Sequence, residues 1–153
     1  MMKWIGRLLG VALVALLAWW AWNRWFVSDE TRVRRQLASM QKSVEQGNLL
    51  RLSEAIAPDY NDDRGLDKAT LITVVRSYRM QQESVFIHLS DQQVTVEPDH
   101  RRAQSVFVAK VLAKPRGGGQ ETELFTERFR LFFRKTDQGW QLIRAESPKL
   151  KFE

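Results

Sequence analysis

The sequence contains no cysteine among its 153 residues. This absence excludes disulfide bonds, thiolate metal sites, a cysteine nucleophile and a lipidated-cysteine anchor, although it decides no compartment. Histidine is almost as scarce. His88 and His100 are the only two, and without cysteine they provide no metal-ligand spacing. We therefore expect neither a metal nor another cofactor.

Several catalytic and binding motifs are also missing. The glycines at 117–119 lack the Lys-Ser/Thr of a phosphate loop, and with Pro115 they predict a flexible hairpin loop. No serine lies in a nucleophile-elbow context, and the chain has no internal repeat. The net charge is +6, but the basic residues are spread along the chain, which disfavours a nucleic-acid partner.

One long apolar stretch is present near the N-terminus. From Leu8 to Trp22 no charged or strongly polar side chain occurs. A helix from Trp4 to Val27 would have the ~20 residues needed to cross hydrocarbon if its two arginines snorkel. Tryptophans near both ends resemble an aromatic belt, and arginines that follow the stretch suit lipid headgroups. We predict that residues 1–27 form a transmembrane anchor that contacts membrane lipid through residues 4–27.

Alternatives to the anchor are a cleaved signal peptide and a buried helix. The basic start, with Lys3 and Arg7, suits a signal peptide, but no small-x-small cleavage site follows the apolar run. The flanking charges favour a cytoplasmic domain, whereas a short basic tail before a single span is typical of a signal anchor that exports the chain. We predict a single-pass membrane protein whose domain is extracytoplasmic.

Three amphipathic helices are predicted after the apolar stretch. The first begins at Ser28, a capping residue, and ends at Gly47. The second begins at Asn48 and stops before Pro58. The third begins at Asp67, which can act as its N-cap. Their apolar faces comprise Val33, Leu37, Met40 and Val44 in the first, Leu49, Leu52 and Ile56 in the second, and Leu71, Val74, Val75 and Tyr78 in the third.

The hydrophobic period changes from 3.6 to 2 after Gln82, which predicts strands. A change of parity in the first strand indicates a bulge or tight turn between Ser90 and Gln93. Further strands are expected from about Arg102 to Lys114, through 125–133, and from Trp140 to Glu146. The sequence therefore predicts an α+β domain with three helices packed on a curved antiparallel sheet of about four long strands.

This region resembles a known superfamily. The features that carry the resemblance are the helix-helix-loop-helix lead, the Pro58-Asp59-Tyr60 exit and the closing hairpin from Asp137 to Ile143. From about Asp29 to Ser147 the chain resembles nuclear transport factor 2-like, or SnoaL-like, domains. The resemblance implies a cone-shaped domain over residues 28–153 with a pocket between sheet and helices. The superfamily includes isomerases, dehydratases, cyclases, small-ligand binders and protein-binding adaptors.

Glu127 is the most distinctive candidate in that pocket. It shares strand parity with the core-facing residues Phe125, Phe129, Leu131 and Phe133. A carboxylate in such a row would lose solvation, which is one way that proteins make a general acid or base. The alternative is an edge position at which Glu127 pairs with an arginine such as Arg144.

Other candidates accompany Glu127. His88 could shuttle protons, but it alternates with the predicted core residues of its strand and could equally face solvent. The resemblance puts Tyr60, Asp62 and Asp63 at the pocket mouth, although Asp-Asp-Arg-Gly at 62–65 is also a typical turn. We expect Tyr60, Asp63, Phe125, Phe129 and Trp140 to contact a ligand.

The outward face of the third predicted strand is a further candidate. Arg128, Arg130 and Arg134 share this face and indicate a solvated surface or an anionic partner. Leu124, Thr126 and Phe132 have the same parity. The resemblance implies that this sheet face could form a homodimer.

The leading functional hypothesis is a membrane-anchored, non-enzymatic module that binds a small hydrophobic ligand or a membrane protein partner, because tethering concentrates a binding domain near its partners. The alternative is a small acid-base enzyme: an isomerase, dehydratase or cyclase that acts on a hydrophobic small molecule. It requires Glu127, His88 and Tyr60 to converge on one bound molecule. A third hypothesis is recognition of nucleic acid or anionic lipid by the basic face, which would weaken steeply with salt.

Overall fold

The computed structural model describes the backbone of residues 2–25 and 27–147 and the side chains of 9–22 and 27–147. Residues 148–153, which the predicted domain includes, lie outside this part. The α+β order is confirmed, with four helices followed by four strands. In chain order they are α1 (Met2–Trp25), α2 (Asp29–Gln46), α3 (Leu49–Glu54), α4 (Lys68–Gln81), β1 (Gln82–Val96), β2 (Arg102–Pro115), β3 (Thr122–Thr136) and β4 (Gly139–Glu146).

The prediction of a single-pass membrane protein is wrong. Within the described residues, no helix is both long enough and apolar enough to cross a membrane. The charge-free run from Leu8 to Trp22 makes about 22 Å of helix at ~1.5 Å per residue, whereas the hydrocarbon core is ~30 Å thick. The predicted span was longer only because it included Arg7 and Arg24, whose side chains lie outside the described residues. The single-pass location and the membrane-spanning anchor are therefore corrected. The lipid contact through residues 4–27 stays an untested prediction.

Both ends of α2 follow the capping signals of the sequence. The Oγ of Ser28 accepts a hydrogen bond from the backbone N–H of Thr31 at 3.2 Å. At the other end Gly47 has φ +69°, a left-handed conformation in which a side chain would be strained. Between these caps Val33, Leu37 and Met40 are buried, which confirms the predicted apolar stripe.

The helix α3 ends before Ile56, earlier than predicted. The chain leaves the helix because it pairs with β4: Ala57 N–H donates to the carbonyl of Leu142 at 2.9 Å. Further along, Asp63 N–H donates to the carbonyl of Ala145 at 3.4 Å. Ile56 is buried in this extended segment, and the loop covers an edge of β4 that would otherwise be unpaired.

The buried face predicted for α4 is wrong in part. Its cap is as expected, since the Asp67 carboxylate accepts from the Thr70 N–H at 2.8 Å. However, no residue of α4 is fully buried, and Val74 and Tyr78 are 47% and 51% exposed. The physical reason is the position of α4 in the fold. This helix packs against α3 and against β1, the edge strand, so only part of its apolar face finds a neighbour.

The four strands form one antiparallel sheet in the order β1-β2-β3-β4. The register of β1 against β2 shifts between Ser90 and Gln93, which confirms the bulge expected from the change of parity. Asp91 lies within this bulge with φ +52°. The bulge lets both halves of β1 turn their apolar residues toward the core.

The register divides the sheet into two faces. Directly paired residues point to the same side, and the pairs Ala103–Phe133, Ser105–Leu131, Phe107–Phe129, Ala109–Glu127 and Val111–Phe125 share one side. We call this side the inner face, because its residues join those of α2 and α3 in the hydrophobic core. The opposite side, which carries Val106, Val108 and Phe132, is the outer face.

Side chains of α2 form hydrogen bonds with backbone groups on the edge of β1 that faces no other strand. Gln41 Nε2 donates to the carbonyl of Ile87 at 2.7 Å, and Glu45 Oε1 accepts from the Ile87 N–H at 2.8 Å. Paired in this way, the backbone of Ile87 is not free to bind another strand. The same contacts hold α2 over the sheet and so define the space between helix and inner face.

Candidate functional site

The candidate site begins with three consecutive inner-face positions of β3. Phe125, Glu127 and Phe129 all point toward the helices and are partly exposed. Directly across from Glu127 on β2 is Ala109, and the next residue in that row is Leu89 on β1. The side chain directly opposite Glu127 is therefore a single methyl group.

Three aromatic rings surround this position. Phe107 and Phe129 stack with their centroids 5.9 Å apart and their planes 26° apart. Phe125 contacts Phe129 in a tilted arrangement at 6.2 Å. These geometries are typical of favourable aromatic pairs. We refer to Phe107, Phe125 and Phe129 as the phenylalanine wall, which flanks Glu127 along β3 and across to β2.

Glu127 has no hydrogen bond or ion pair to any described residue. Arg144, the arginine that the sequence offered as a partner, donates instead to Glu146 at 2.9 Å. The residues that pair or alternate with Glu127 on the inner face are apolar. The site therefore presents a carboxylate in an aromatic setting, without a cation of the protein beside it.

The structure separates Glu127 from the other two predicted acid-base candidates. His88 pairs with Lys110 and lies on the outer face, whereas Leu89 and Ala109 occupy the neighbouring inner row. Tyr60 is 2% exposed in the core, and no hydrogen bond joins it to Glu127 among the described residues. The sheet itself thus lies between His88 and Glu127.

Burial dominates the chemistry of Tyr60. Desolvation raises the pKa of its hydroxyl far above the ordinary value, and the charges of Asp62 and Asp63 raise it further. Arg144 and Arg64 oppose the rise but do not cancel it. A phenol in this environment keeps its proton, so its hydroxyl is available as a hydrogen-bond donor.

Part of the predicted ligand set meets in one cavity. Asp63 and Phe129 both line a cavity of about 210 Å³ located where β4 ends beside β3. The other lining residues are Val106, Arg128, Arg130 and Glu146. Trp140 does not belong to it: its ring is 4% exposed within the core, with Lys135 Nζ 5.8 Å from the ring centroid.

A larger open groove of about 540 Å³ lies elsewhere, between the end of α3 and α4. Lys68, Ile72 and Arg76 line it along α4, and Ser53 and Pro58 line the opposite side. Sequence reasoning did not identify this groove, because it depends on how two helices dock. No local pattern in the chain indicates that arrangement.

Buried polar atoms that lack hydrogen-bond partners were also not predicted from the sequence. Ser105 is completely buried on the inner face, and its Oγ has no hydrogen-bond partner. The Nε1 of Trp140 is likewise buried and unpaired. Strand parity alone could have placed Ser105 inward, since it alternates with Ala103 and Phe107. Among the described residues, no three acidic or histidine side chains lie close enough together to hold a metal ion.

Comparison with known proteins supports the fold. No family model matches the sequence, and no curated protein matches it. Solved structures do. A candidate dehydratase of the nuclear transport factor 2-like family from Streptomyces avermitilis is 16% identical, with a TM-score of 0.68 over 78% of this chain and 94% of that chain. A nuclear transport factor 2-like superfamily protein from Salmonella enterica is 13% identical, with a TM-score of 0.67 over 78% and 89%.

A third similar structure covers more of the chain. It is a nuclear transport factor 2-like protein with a cystatin-like fold from Novosphingobium aromaticivorans, 20% identical, with a TM-score of 0.64 over 94% of this chain and 89% of that chain. At these identities the similarities establish the fold alone. The α+β domain has the nuclear transport factor 2-like fold, as the resemblance in the sequence implied.

Proposed function

We propose that this chain is a non-catalytic binding protein, and that its domain at 28–153 takes a small, mainly apolar molecule against the inner face of the sheet. The observation that carries the proposal is the phenylalanine wall, of which Phe125 and Phe129 remain partly exposed. Partly exposed aromatic side chains on a concave surface with few polar groups are typical of small-molecule sites. Covering these rings with a ligand would bury apolar area at roughly 25 cal/mol per Å².

The separation of the acid-base candidates supports binding over catalysis. A proton-transfer enzyme of the predicted kind would need a second group within hydrogen-bond reach of the molecule that contacts Glu127. His88 faces the other side of the sheet, and Tyr60 forms no hydrogen bond with Glu127 among the described residues. Glu127 is therefore better placed to recognise a ligand than to exchange protons in concert with either residue.

One observation favours the alternative, a small acid-base enzyme. The similar Streptomyces avermitilis protein is described as a candidate dehydratase, and Glu127 lies on the core side of the sheet in a partly apolar setting. In that alternative Glu127 would act as a general acid or base by itself. If the purified chain turns over a small hydrophobic substrate and Glu127→Gln abolishes turnover, the non-catalytic proposal is wrong.

Binding can be tested with the full chain and N-phenyl-1-naphthylamine, a neutral apolar fluorophore whose emission rises when it leaves water. We expect saturable binding that Phe125→Ala and Phe129→Ala each weaken about tenfold, because each substitution removes an apolar contact. The matched control is Phe86→Ala, which truncates the same side chain on the outer face, where Phe86 is 55% exposed.

The control and a fold measurement make the result decisive. Thermal unfolding of each variant shows whether it keeps its structure. Two partly exposed positions are used so that loss of folding at one does not end the test. The proposal is contradicted if the unaltered chain does not bind the fluorophore. It is also contradicted if Phe86→Ala weakens binding as much as the inner-face substitutions do.

We propose that the outer face of the sheet binds a second copy of the chain. Phe86 is exposed there, and Val106, Val108, Leu112 and Phe132 are partly buried on the same face. The polar row of His88, Lys110 and Thr126 separates Phe86 and Leu112 from the other three. Apolar side chains exposed on one face are typical of protein–protein contacts. Arg128 and Arg130 pair with Val108 and Val106, so they would lie within such an interface.

A further inference from the structure

We infer that the molecule bound at the inner face carries a positive charge, as an amine or quaternary ammonium group held between Glu127 and the phenylalanine wall. This inference rests on the proposed function, because it assigns the chemical class of the ligand at that same site. Three observations carry it: an unpaired carboxylate, the rings beside it, and the small residue opposite.

Glu127 is a partly buried carboxylate of this sheet that has no partner. Three other carboxylates on the strands have one: Glu123 pairs with Lys110 at 3.2 Å, Glu83 with Lys114 at 3.1 Å, and Glu146 with Arg144 at 2.9 Å. Asp91 also has none among the described residues, but it is exposed to solvent in the bulge of β1. The chain carries 24 basic and 18 acidic residues, so cations to pair with Glu127 are plentiful. A partly buried carboxylate without a cation loses solvation and gains nothing in return. A cationic ligand would supply the missing charge.

The rings next to Glu127 suit the same kind of ligand. A cation over the face of an aromatic ring is attracted by the ring quadrupole, and the attraction grows when water is excluded. Phe125 and Phe129 flank Glu127 along the strand and are partly exposed, whereas Phe107 is buried and stacks with Phe129 at a centroid distance of 5.9 Å. A quaternary ammonium group can contact such rings through its methyl groups and the carboxylate through its charge.

The residue opposite Glu127 is small. Ala109 is the direct partner of Glu127, and its methyl group adds little bulk beside the carboxylate. Anionic ligands are disfavoured, because Glu127 would repel them. Neutral ligands can contact the rings, but they leave the carboxylate desolvated without compensation. The site should therefore discriminate by charge between molecules of the same shape.

The test uses two molecules of nearly identical shape that differ in charge: benzyltrimethylammonium and its carbon isostere neopentylbenzene. Binding of each to the full chain is measured by calorimetry or by displacement of N-phenyl-1-naphthylamine. We expect the cation to bind about tenfold more tightly than the isostere, a preference of the size that a desolvated cation–ring contact provides. We also expect this preference to shrink as salt is added.

Two matched variants connect the preference to Glu127. Glu127→Gln should bring the two affinities within about twofold of each other. Glu123→Gln removes the same charge from the same strand at a position already paired with Lys110, and it should leave the preference unchanged. Thermal unfolding of both variants confirms that they are folded.

The outcomes separate the two proposals. If the unaltered chain binds both molecules equally, the charge inference is wrong and the apolar binding site stands. If it binds neither, the proposed function fails as well. A preference for the cation that survives Glu127→Gln also overturns the inference, because another group would then be its source.

Discussion

Tyr60 illustrates how tertiary burial changes one side chain. It follows Pro58 and Asp59 in a loop that the sequence marks as polar, yet its ring is 2% exposed. The loop runs beside β4, and this pairing turns the ring into the core. Burial then raises the pKa of the hydroxyl, with Asp62 and Asp63 adding to the rise.

The raised pKa of Tyr60 predicts a loss of stability at alkaline pH. In the unfolded chain the hydroxyl ionises with its ordinary pKa of 10.0, whereas in the folded chain it keeps its proton to higher pH. Above about pH 10 the unfolded state therefore binds fewer protons than the folded state, so the free energy of unfolding falls as pH rises. Denaturant unfolding between pH 8 and about pH 11 should show this fall.

The control for this prediction is the chain's other tyrosine. Tyr60→Phe should flatten the alkaline decline. Tyr78→Phe, at a half-exposed position on α4, should leave it unchanged. A decline of the same slope in Tyr60→Phe and in the unaltered chain would exclude Tyr60 as its cause.

At the scale of elements, Asp29 joins three parts of the fold. It lies in the first turn of α2, where a negative charge favours the helix dipole. Its carboxylate accepts from Lys135 Nζ on β3 at 3.1 Å and lies 3.0 Å from His100 Nδ1, in the turn between β1 and β2. Burial raises the pKa of Asp29, but the bonds from Lys135 and His100 outweigh it, and the pKa is lowered overall.

Asp29→Asn should lower the free energy of unfolding by about 1 kcal/mol at neutral pH, because it weakens these contacts and the favourable dipole interaction. Since the folded pKa of Asp29 is depressed, the contribution is present above its ordinary value of 3.8 and is lost as pH falls below that value. Chemical denaturation of both chains from pH 7 downward measures the difference.

Glu30→Gln is the matched control for Asp29→Asn. It removes the neighbouring charge from the same helix turn, but Glu30 bonds to Arg34 within α2 and does not reach another element. Its effect should stay below about 0.5 kcal/mol. Equal losses from the two variants would show that the helix dipole alone, rather than the connection between elements, accounts for the effect.

At the scale of the whole molecule, we expect self-association through the outer face. Phe86→Glu should shift the chain toward monomer in sedimentation equilibrium, because it puts a charge at an exposed apolar position of that face. Leu50→Glu is the control: Leu50 is 73% exposed on α3, away from the sheet. If the unaltered chain is monomeric, or if both variants dissociate it equally, the outer face is not the interface.

The local features of this fold were predictable from the sequence. The caps Ser28 and Asp67, the left-handed Gly47 and the bulge before Gln93 depend on residues within a few positions of one another. Strand parity likewise put Glu127 on the core side, since alternation along a strand needs no knowledge of the neighbouring strand. These features depend on short-range interactions, so they form whichever way the helices and strands pack together.

The relations between distant residues were not predictable. The early end of α3 follows from pairing with β4, and the exposure of α4 follows from docking at a sheet edge. The predicted membrane span failed because a helix must be apolar over its whole length, and the flanking arginines shorten the apolar run of α1.

The sequence by itself thus determined the order of helices and strands, their caps and the alternation of residues along each strand. Only the tertiary structure decided that Glu127 has no cation beside it, that His88 faces away from it, and that Tyr60 is buried. The physical reason is that hydrogen bonds within a turn and alternation along a strand are local. The partner of a side chain across the sheet depends on register and docking, which the packing of the whole core selects.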